Sequence, residues 1–526
     1  MNQIKARRLP VYKSIDRSYP LNLINKKLAS KFGLKSLEQI EIYNSSVIGF
    51  KNNTFFIGKR DTEKSLYIIC RDLKETSGFE GFIEESRSSV FLKKCAMITK
   101  NRIELQKIFP FTIPVKIGLK NSFGFGDRIG FANAGHLRAL GRLKFVPVLA
   151  QQSIRELTRT MRSAEDVLDA AVWAVFQEGF KKGFSADADH LKTTEDIDMF
   201  VKAGFVMFTF DPGQFVNNDA DNLNIKELTE VLKDYPWDEL NDSLADARQR
   251  YLNDSVTINR NLTIQPGEVD ILRAYTKYGR SLAHVKKLHD HLKNKYPGYL
   301  SEIEVSVDET QAVTSIFEHY FISKELHRLQ VKYVSLAPRF VGDFEKGIDY
   351  KGDLKLFEEE FRKHAAIVKF FGDYKISLHS GSDKFSVYKV IGKFKKGAIH
   401  VKTAGTSYLE ALKVVALKEP DLFRNILDYS KMYYAGEKLS YHVSANIENV
   451  KKSAEYLDDE LFGLFDSNDV RQILHVTYGK VLSDKDKNGE FIFKGKIINC
   501  LKKNEDVHYN LLIKHFNKHL KPFRLD

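Results

Sequence analysis

From Phe123 to Lys418 the chain repeats one unit eight times: a short apolar or alternating run, a polar end, then an amphipathic stretch. The runs are Phe123–Ile129, Phe145–Ala150, Phe184–Asp189, Phe205–Asp211, Ile303–Asp308, Tyr333–Ala337, Lys375–His379 and Ala398–Thr403. Each has strand length, and the intervening stretches have room for a helix with its own start signal, as at Ser163 and Asp166. Parallel strands need crossovers of that length. Eight such units predict an α/β fold, a (β/α)8 TIM-like barrel over 116–420; an open doubly wound sheet is the alternative.

The third unit is the most informative. In Phe184-Ser-Ala-Asp-Ala-Asp-His190, Ser185, Asp187 and Asp189 alternate with Phe184, Ala186 and Ala188. A strand with that period has one apolar and one acidic face. Carboxylates on a buried face are costly unless paired, hydrogen-bonded or bound to metal. The plain alternative is a strand end whose carboxylates cap the next helix.

Barrel enzymes build their sites at the carboxyl ends of the strands. Those ends carry Asp127, Arg128, Gln151, Asp189, His190, Asp211, Asp308, Glu309, Arg339, His379, Ser380, Lys384, Lys402 and Thr403. Eight polar ends around one axis suit a polar, anionic substrate and a divalent cation. His190 and His379 are the first candidate ligands. His400 and His442 come next, with Asp343 as an oxygen donor. Ser380-Gly-Ser382-Asp-Lys384 offers hydroxyls and a cation to a carboxylate or sugar, or is an ordinary Gly-Ser turn. Gly124, Gly126 and Gly130 are spaced GxGxxxG, which is not the dinucleotide fingerprint, and no phosphate-binding loop follows a strand.

The flanks read differently. Residues 1–115 hold short runs, Ser45–Phe50, Thr54–Gly58, Ser65–Cys70 and Glu85–Leu92, that suggest a separate mixed α/β unit with no chemical motif. Residues 214–300 read as a polar helical insertion after the fourth strand. Residues 421–526 read as a mostly helical extension packed on the barrel. The net charge of +13 is scattered rather than gathered into a basic face, so a nucleic-acid partner is not expected. Three cysteines without CxxC spacing argue against a disulfide framework or a cysteine zinc site. No apolar run reaches the roughly 18 residues of a spanning helix, and residues 1–5 lack a signal-peptide core, so no membrane partner and a soluble cytoplasmic protein are expected.

Seven stretches together resemble the tagaturonate/fructuronate epimerase family of hexuronate catabolism. They are Phe125–Gly130, Pro147–Arg155, Ala186–Lys192, Val305–Thr310, Ser335–Arg339, His379–Phe385 and His400–Thr406, in one order across about 122–480. The resemblance implies a metal-dependent barrel enzyme interconverting D-tagaturonate and D-fructuronate. Carried over by position, it implies Asp189 and Glu309 as opposing acid/base groups and His190 and His379 as metal ligands. The third ligand stays open, with His400 proposed. The cation would be zinc, manganese or nickel. Arg128, Arg339, Ser380, Ser382, Lys384 and Lys402 would contact the hexuronate. The two sugars differ at C4, two carbons from the ketone, so a retro-aldol break of C3–C4 is the expected route. A metal-dependent sugar isomerase or aldolase on the same barrel is the alternative.

Overall fold

The computed structural model describes residues 21–252, 255–394 and 398–524. It divides into two compact units, residues 1–113 with 169–183, and residues 114–168 with 184–526.

The first unit is built on a six-stranded antiparallel sheet. Alternation along its central strands sorts side chains to two faces. Phe56, Tyr67 and Ile69 pack with Ile24, Leu28 and Leu37, while Phe55, Leu66 and Ile68 pack with Phe109, Trp173 and Phe176. The run Glu85–Leu92, expected as one strand, is a hairpin. Strands Gly81–Arg87 and Val90–Cys95 turn at Ser88 and Ser89, both with positive φ.

The second unit is a closed barrel of eight parallel strands: β1 Ser122–Phe125, β2 Val146–Ser153, β3 Ser185–Leu191, β4 Met207–Phe210, β5 Glu302–Ser306, β6 Ser335–Ala337, β7 Lys375–Leu378 and β8 Ile399–Thr403. Each coincides with one of the eight runs read from the sequence. Closure is made by β8 on β1, with His400 opposite Ser122 and Thr403 opposite Phe125. Gly124 is required at that seam. A Cβ there would lie 1.6 Å from Gln151 Oε1, and the Gln151 amide reaches across to the Thr403 carbonyl.

The barrel interior is unusually polar. Ser122, Ser185, Asp187, Thr209, Glu302, Glu304, Ser335, Lys375, Ser377, His400 and Lys402 are all buried. Period-two alternation puts these on inward faces while Phe123, Ala186, Phe208, Val305, Ile376 and Val401 face the surrounding helices. Lys375 plugs the floor, donating to the carbonyls of Gly118 and Lys120 and to Ser122 Oγ. Burial pushes its ammonium down to about 8, despite Glu302, Glu304 and Asp187 nearby.

The stretch 214–300 is not simply a helical addition. It holds helices Ile225–Val231 and Leu244–Leu252, then a two-stranded hairpin, Val256–Asn259 with Leu262–Ile264. It ends in the 28-residue helix Glu268–Lys295, which is the crossover from β4 to β5. After β8, helices Thr406–Lys418, Pro420–Glu437, Asn468–Val476, Tyr478–Ser483 and Lys494–Lys503 enclose a core of their own, around Leu412, Phe423, Leu427, Ile473 and Ile497. Among the described residues no helix is long and apolar enough to cross a membrane.

Candidate active site

Strand ends deliver the polar groups to one mouth. β3 supplies Asp187, Asp189 and His190; β5 and the turn after it supply Glu304, Asp308 and Glu309; β7 supplies His379; β8 supplies Lys402. Two residues at this rim, His190 and Ser380, hold φ of 54° and 51°. That left-handed backbone is uncommon for non-glycine residues and clusters where a site over-determines the chain.

Lys402 is the hub of the floor. Its Nζ lies 2.7 Å from Asp187, 2.7 Å from Asp189 and 2.8 Å from Glu304, and it also donates to Thr209 Oγ1. Burial disfavours the ammonium, but the three carboxylates outweigh it and raise its pKa well above the usual value.

The two imidazoles are held alike. His190 Nδ1 is 2.9 Å from Asp189, and His379 Nε2 is 2.7 Å from Glu304. Each ring thus commits one nitrogen to a buried carboxylate and turns the other toward Asp308. The distances to Asp308 are 3.9 Å from His190 Nε2 and 3.0 Å from His379 Nδ1, with the ring centroids 5.2 Å apart. His190 Nε2 also stands 3.9 Å from Glu309. Burial works against protonation of both rings. The Asp189, Glu309 and Asp211 carboxylates nevertheless raise His190 to about 10, and Asp308 and Glu304 raise His379 to about 9. The same imidazoles hold Asp308 and Glu309 below their ordinary range against burial.

These groups fit a divalent cation. Ligand atoms of His190, Asp308 and His379 lie within 4.8 Å of one another, and so do those of His190, Asp211 and Glu309. Two imidazoles and carboxylate oxygens with room for further ligands is a catalytic donor set for a borderline metal. A carboxylate on the far nitrogen of each imidazole is the outer support such ligands need. Three carboxylates, Asp187, Asp189 and Glu304, surround Lys402, while Asp308 lies against both imidazoles and Glu309 against His190.

Above this cluster a cavity of about 600 Å³ is lined by Arg155, Asp308, Glu309, Arg339, Lys346, His379, Ser380, Tyr441 and His442. Arg128, Ser382, Asp189, His190, Lys402 and His475 line its deeper recess. Among the described residues, none of those lining it comes from 214–300. A larger cavity of about 750 Å³ lies elsewhere on the barrel, between Phe145, Phe361, Phe394 and Phe523; its described lining holds Lys144 and arginines but no carboxylate or imidazole.

Several sequence expectations are redirected by these positions. His400 sits one layer below the cluster. Its Nδ1 is 2.9 Å from Ser122 Oγ, and its ligand atoms do not converge with those of His190, Asp308 and His379. Lys384 is wholly buried and donates to the carbonyls of Glu345, Ile348 and Ser382, so it ties loops together rather than facing the cavity. Lys402 is spent on the floor carboxylates. Asp127 accepts from the amides of Ile129, Gly130 and Ala132 and shapes a turn. Arg128 is buried between Glu156, 3.1 Å away, and the Tyr478 ring, 3.6 Å below it. Ser382 Oγ accepts from the Ala404 amide, and Ser380 Oγ accepts from Lys346. Arg339 lines the mouth, 3.5 Å from the Asp308 carbonyl. His442 and Asp343 pair with each other at 3.2 Å, both well exposed.

The structure adds groups that strand-end reading missed. Arg155 follows β2, lies 3.8 Å from Glu309 and stands over the Tyr441 ring. Lys346 comes from the loop after β6. Tyr441 and His475 come from the C-terminal extension, 95 and 129 residues beyond Lys346, and no local motif announces them.

Fold and site together define a (β/α)8-barrel enzyme whose mouth gathers carboxylates, imidazoles and cations around one cavity. The model of the tagaturonate epimerase family matches residues 43–523. A tagaturonate/fructuronate epimerase of Thermotoga maritima is 39% identical over 485 residues, 91% of this chain and 96% of that protein. The native crystal structure of a fructuronate-tagaturonate epimerase from Cohnella laeviribosi superposes with a TM-score of 0.86 at 35% identity, covering 95% of this chain and 99% of that one. A glycerol complex of the same enzyme gives 0.86 at 34% identity with the same coverage. The chain belongs to the tagaturonate epimerase family, and it is a carbohydrate epimerase, an isomerase.

Proposed function

We propose that this protein interconverts D-tagaturonate and D-fructuronate by opening and reclosing the C3–C4 bond, with a divalent cation held by His190, His379 and Asp308. The observation that carries this reading is the pair of carboxylate-supported imidazoles turned toward Asp308 at the base of a cation-rimmed cavity. The bound cation, of zinc, manganese or nickel type, would supply Lewis acidity to the charge that develops on the ketone oxygen.

The chemistry follows from the position of the stereocentre. The C4 hydrogen is not adjacent to the ketone and is not acidified by it. The C4 hydroxyl proton is the accessible one, and its removal drives cleavage of C3–C4 to an aldehyde and an enediolate. Rotation of the aldehyde and re-addition invert C4. Glu309, half-exposed at the mouth, is placed to take the hydroxyl proton from one side. Asp189, beyond His190, is the acceptor on the other side. Burial works against its charge, but His190 and Lys402 hold it ionised, well below the usual range. On re-addition the new C4 alkoxide takes a proton from water in the cavity and Glu309 gives up the one it accepted, so the enzyme ends the cycle as it began; Lys402, 2.7 Å away, keeps Asp189 ionised for the reverse direction. Arg155, Lys346 and Arg339 rim the cavity and suit the substrate carboxylate.

The test is the fate of the C4 hydrogen during turnover in deuterated water. Retention of protium at C4 in both sugars is expected. Deuterium at C4 would mean direct removal of that hydrogen and would end the bond-cleavage reading.

A further inference from the structure

Next to the recess, and not among the acid/base groups used above, lies a buried knot of charge. Asp383, in the loop after β7, has φ of 63° and is fully buried. One of its carboxylate oxygens accepts from the Arg471 guanidinium, and the other lies 2.5 Å from His515 Nε2. The far nitrogen of His515 is 3.0 Å from Glu410, whose carboxylate also pairs with Lys413 at 2.7 Å. His519 Nε2 accepts from the Asp383 amide at 3.0 Å. Asp383, His515 and His519 are close enough to hold a metal ion, but their lone pairs are already committed to a guanidinium and an amide. An ion-pair network, not a second cation site, is what this geometry builds.

The network leads to the substrate side of the mouth. Arg471 Nε donates to the Gly347 carbonyl at 2.7 Å, one residue beyond Lys346. Lys384, next to Asp383, donates to the carbonyls on either side, Glu345 and Ile348. Two buried cations thus stitch loop 345–348 to loop 380–384. At the surface of the site the same two loops meet once more, where Lys346 Nζ donates to Ser380 Oγ at 2.7 Å. The helix Glu505–Leu520, more than a hundred residues from either loop, closes the knot through His515.

We infer that His515 is a positioning residue for substrate recognition: by bridging Asp383 and Glu410 it fixes the loop 380–384, and through Arg471 and Lys384 it sets where Lys346 and Ser380 stand in the cavity. This rests on the reading of Lys346 as a contact for the substrate carboxylate. A buried, fully paired network is rigid when complete and loses geometry when one member is removed. Displacement of a contact group by about an ångström is enough to weaken recognition severalfold to a hundredfold.

The experiment is a double-mutant cycle on KM and kcat with the hexuronate substrate, using His515→Gln, Lys346→Met and the pair. Thermal unfolding reports whether each variant is folded. The expected result is a rise in KM of about tenfold for either single variant, a smaller change in kcat, and no further rise in the double variant, because both act through one contact. Glu410→Gln, which keeps the imidazole, is expected to give the same KM effect in smaller measure, and it decides the matter if His515→Gln does not fold. An unchanged KM in the folded His515 or Glu410 variants, with Lys346→Met impaired, overturns the inference and leaves the site reading intact. So does a double variant whose KM effect is the product of the two singles. An unchanged KM in Lys346→Met overturns the carboxylate reading instead, and the inference with it.

Discussion

Lys402→Met tests the electrostatics at the base of the site. Methionine keeps most of the aliphatic stem and deletes the charge. It leaves Asp187, Asp189 and Glu304, each within 2.8 Å of the former ammonium, without their shared cation. Breaking a buried ion pair by removing one partner costs about 3–5 kcal/mol, because the other charge stays buried and unpaired. For a barrel unit of about 400 residues the entropy of unfolding is roughly 0.8 kcal/mol/K, so the midpoint should fall by about 4–6 °C. The deficit should also depend on pH with a fixed sign. Burial already raises the Asp187 carboxyl to about 6 in the intact protein, and without Lys402 beside it that value rises further. A carboxyl whose folded pKa lies above its unfolded one costs stability at high pH, and the cost is relieved as pH falls through the folded value. The gap between Lys402→Met and the parent protein should therefore narrow from pH 8 to pH 5. Scanning calorimetry at both pH values is the assay. A midpoint within about 1 °C of the parent, or a gap that widens on acidification, would refute this view of the base of the site.

Two further perturbations address the mouth. Glu309→Gln removes the proposed proton acceptor while keeping its shape and is expected to lower kcat by about 10²–10⁴ with the fold intact, measured by steady-state epimerisation. Glu345→Gln addresses the loop that carries Lys346. Burial opposes the Glu345 charge, but Gln472, Lys351 and Ser444 outweigh it and hold the carboxyl down to about 2. Its folded pKa lies below the unfolded value of 4.5, so its stabilisation is present above pH 4.5 and is lost as pH falls toward 2. The parent protein should lose stability across that window by an increment that the Gln variant lacks, as seen in acid titrations followed by circular dichroism.

Much of the barrel could be read from the chain because its signals are local. Eight short runs, each closed by polar residues and separated by helix-length stretches, admit few arrangements, and all eight strands fall on those runs. The clustering of His190, Asp308, Glu309 and His379 was also legible, since they sit at or just after strand ends, where a barrel gathers them. Depth was harder to read. His400 and Lys402 share the inward face of β8 two residues apart, yet one is a layer too low and the other is saturated with carboxylates. Direction failed where the backbone leaves the strand. With Ser380 and Asp383 in left-handed conformation, period-two reasoning does not apply, and Lys384 turns to backbone carbonyls. Tyr441 and His475 reach the cavity only through the packing of the C-terminal helices, which no local pattern encodes. The helix Glu268–Lys295 looked like an insertion because its sequence is polar, although Tyr275, Lys277 and Tyr278 are buried along it.

The most direct check is epimerisation of D-tagaturonate by the purified protein before and after chelation, with metal content measured on the same samples. Interconversion with D-fructuronate that disappears on chelation and returns with an added divalent cation, at about one ion per chain, is the expected result. Full turnover by protein shown to be free of metal, or no turnover of either hexuronate with the cation bound, would contradict a mouth built to hold one cation against an acidic ketose.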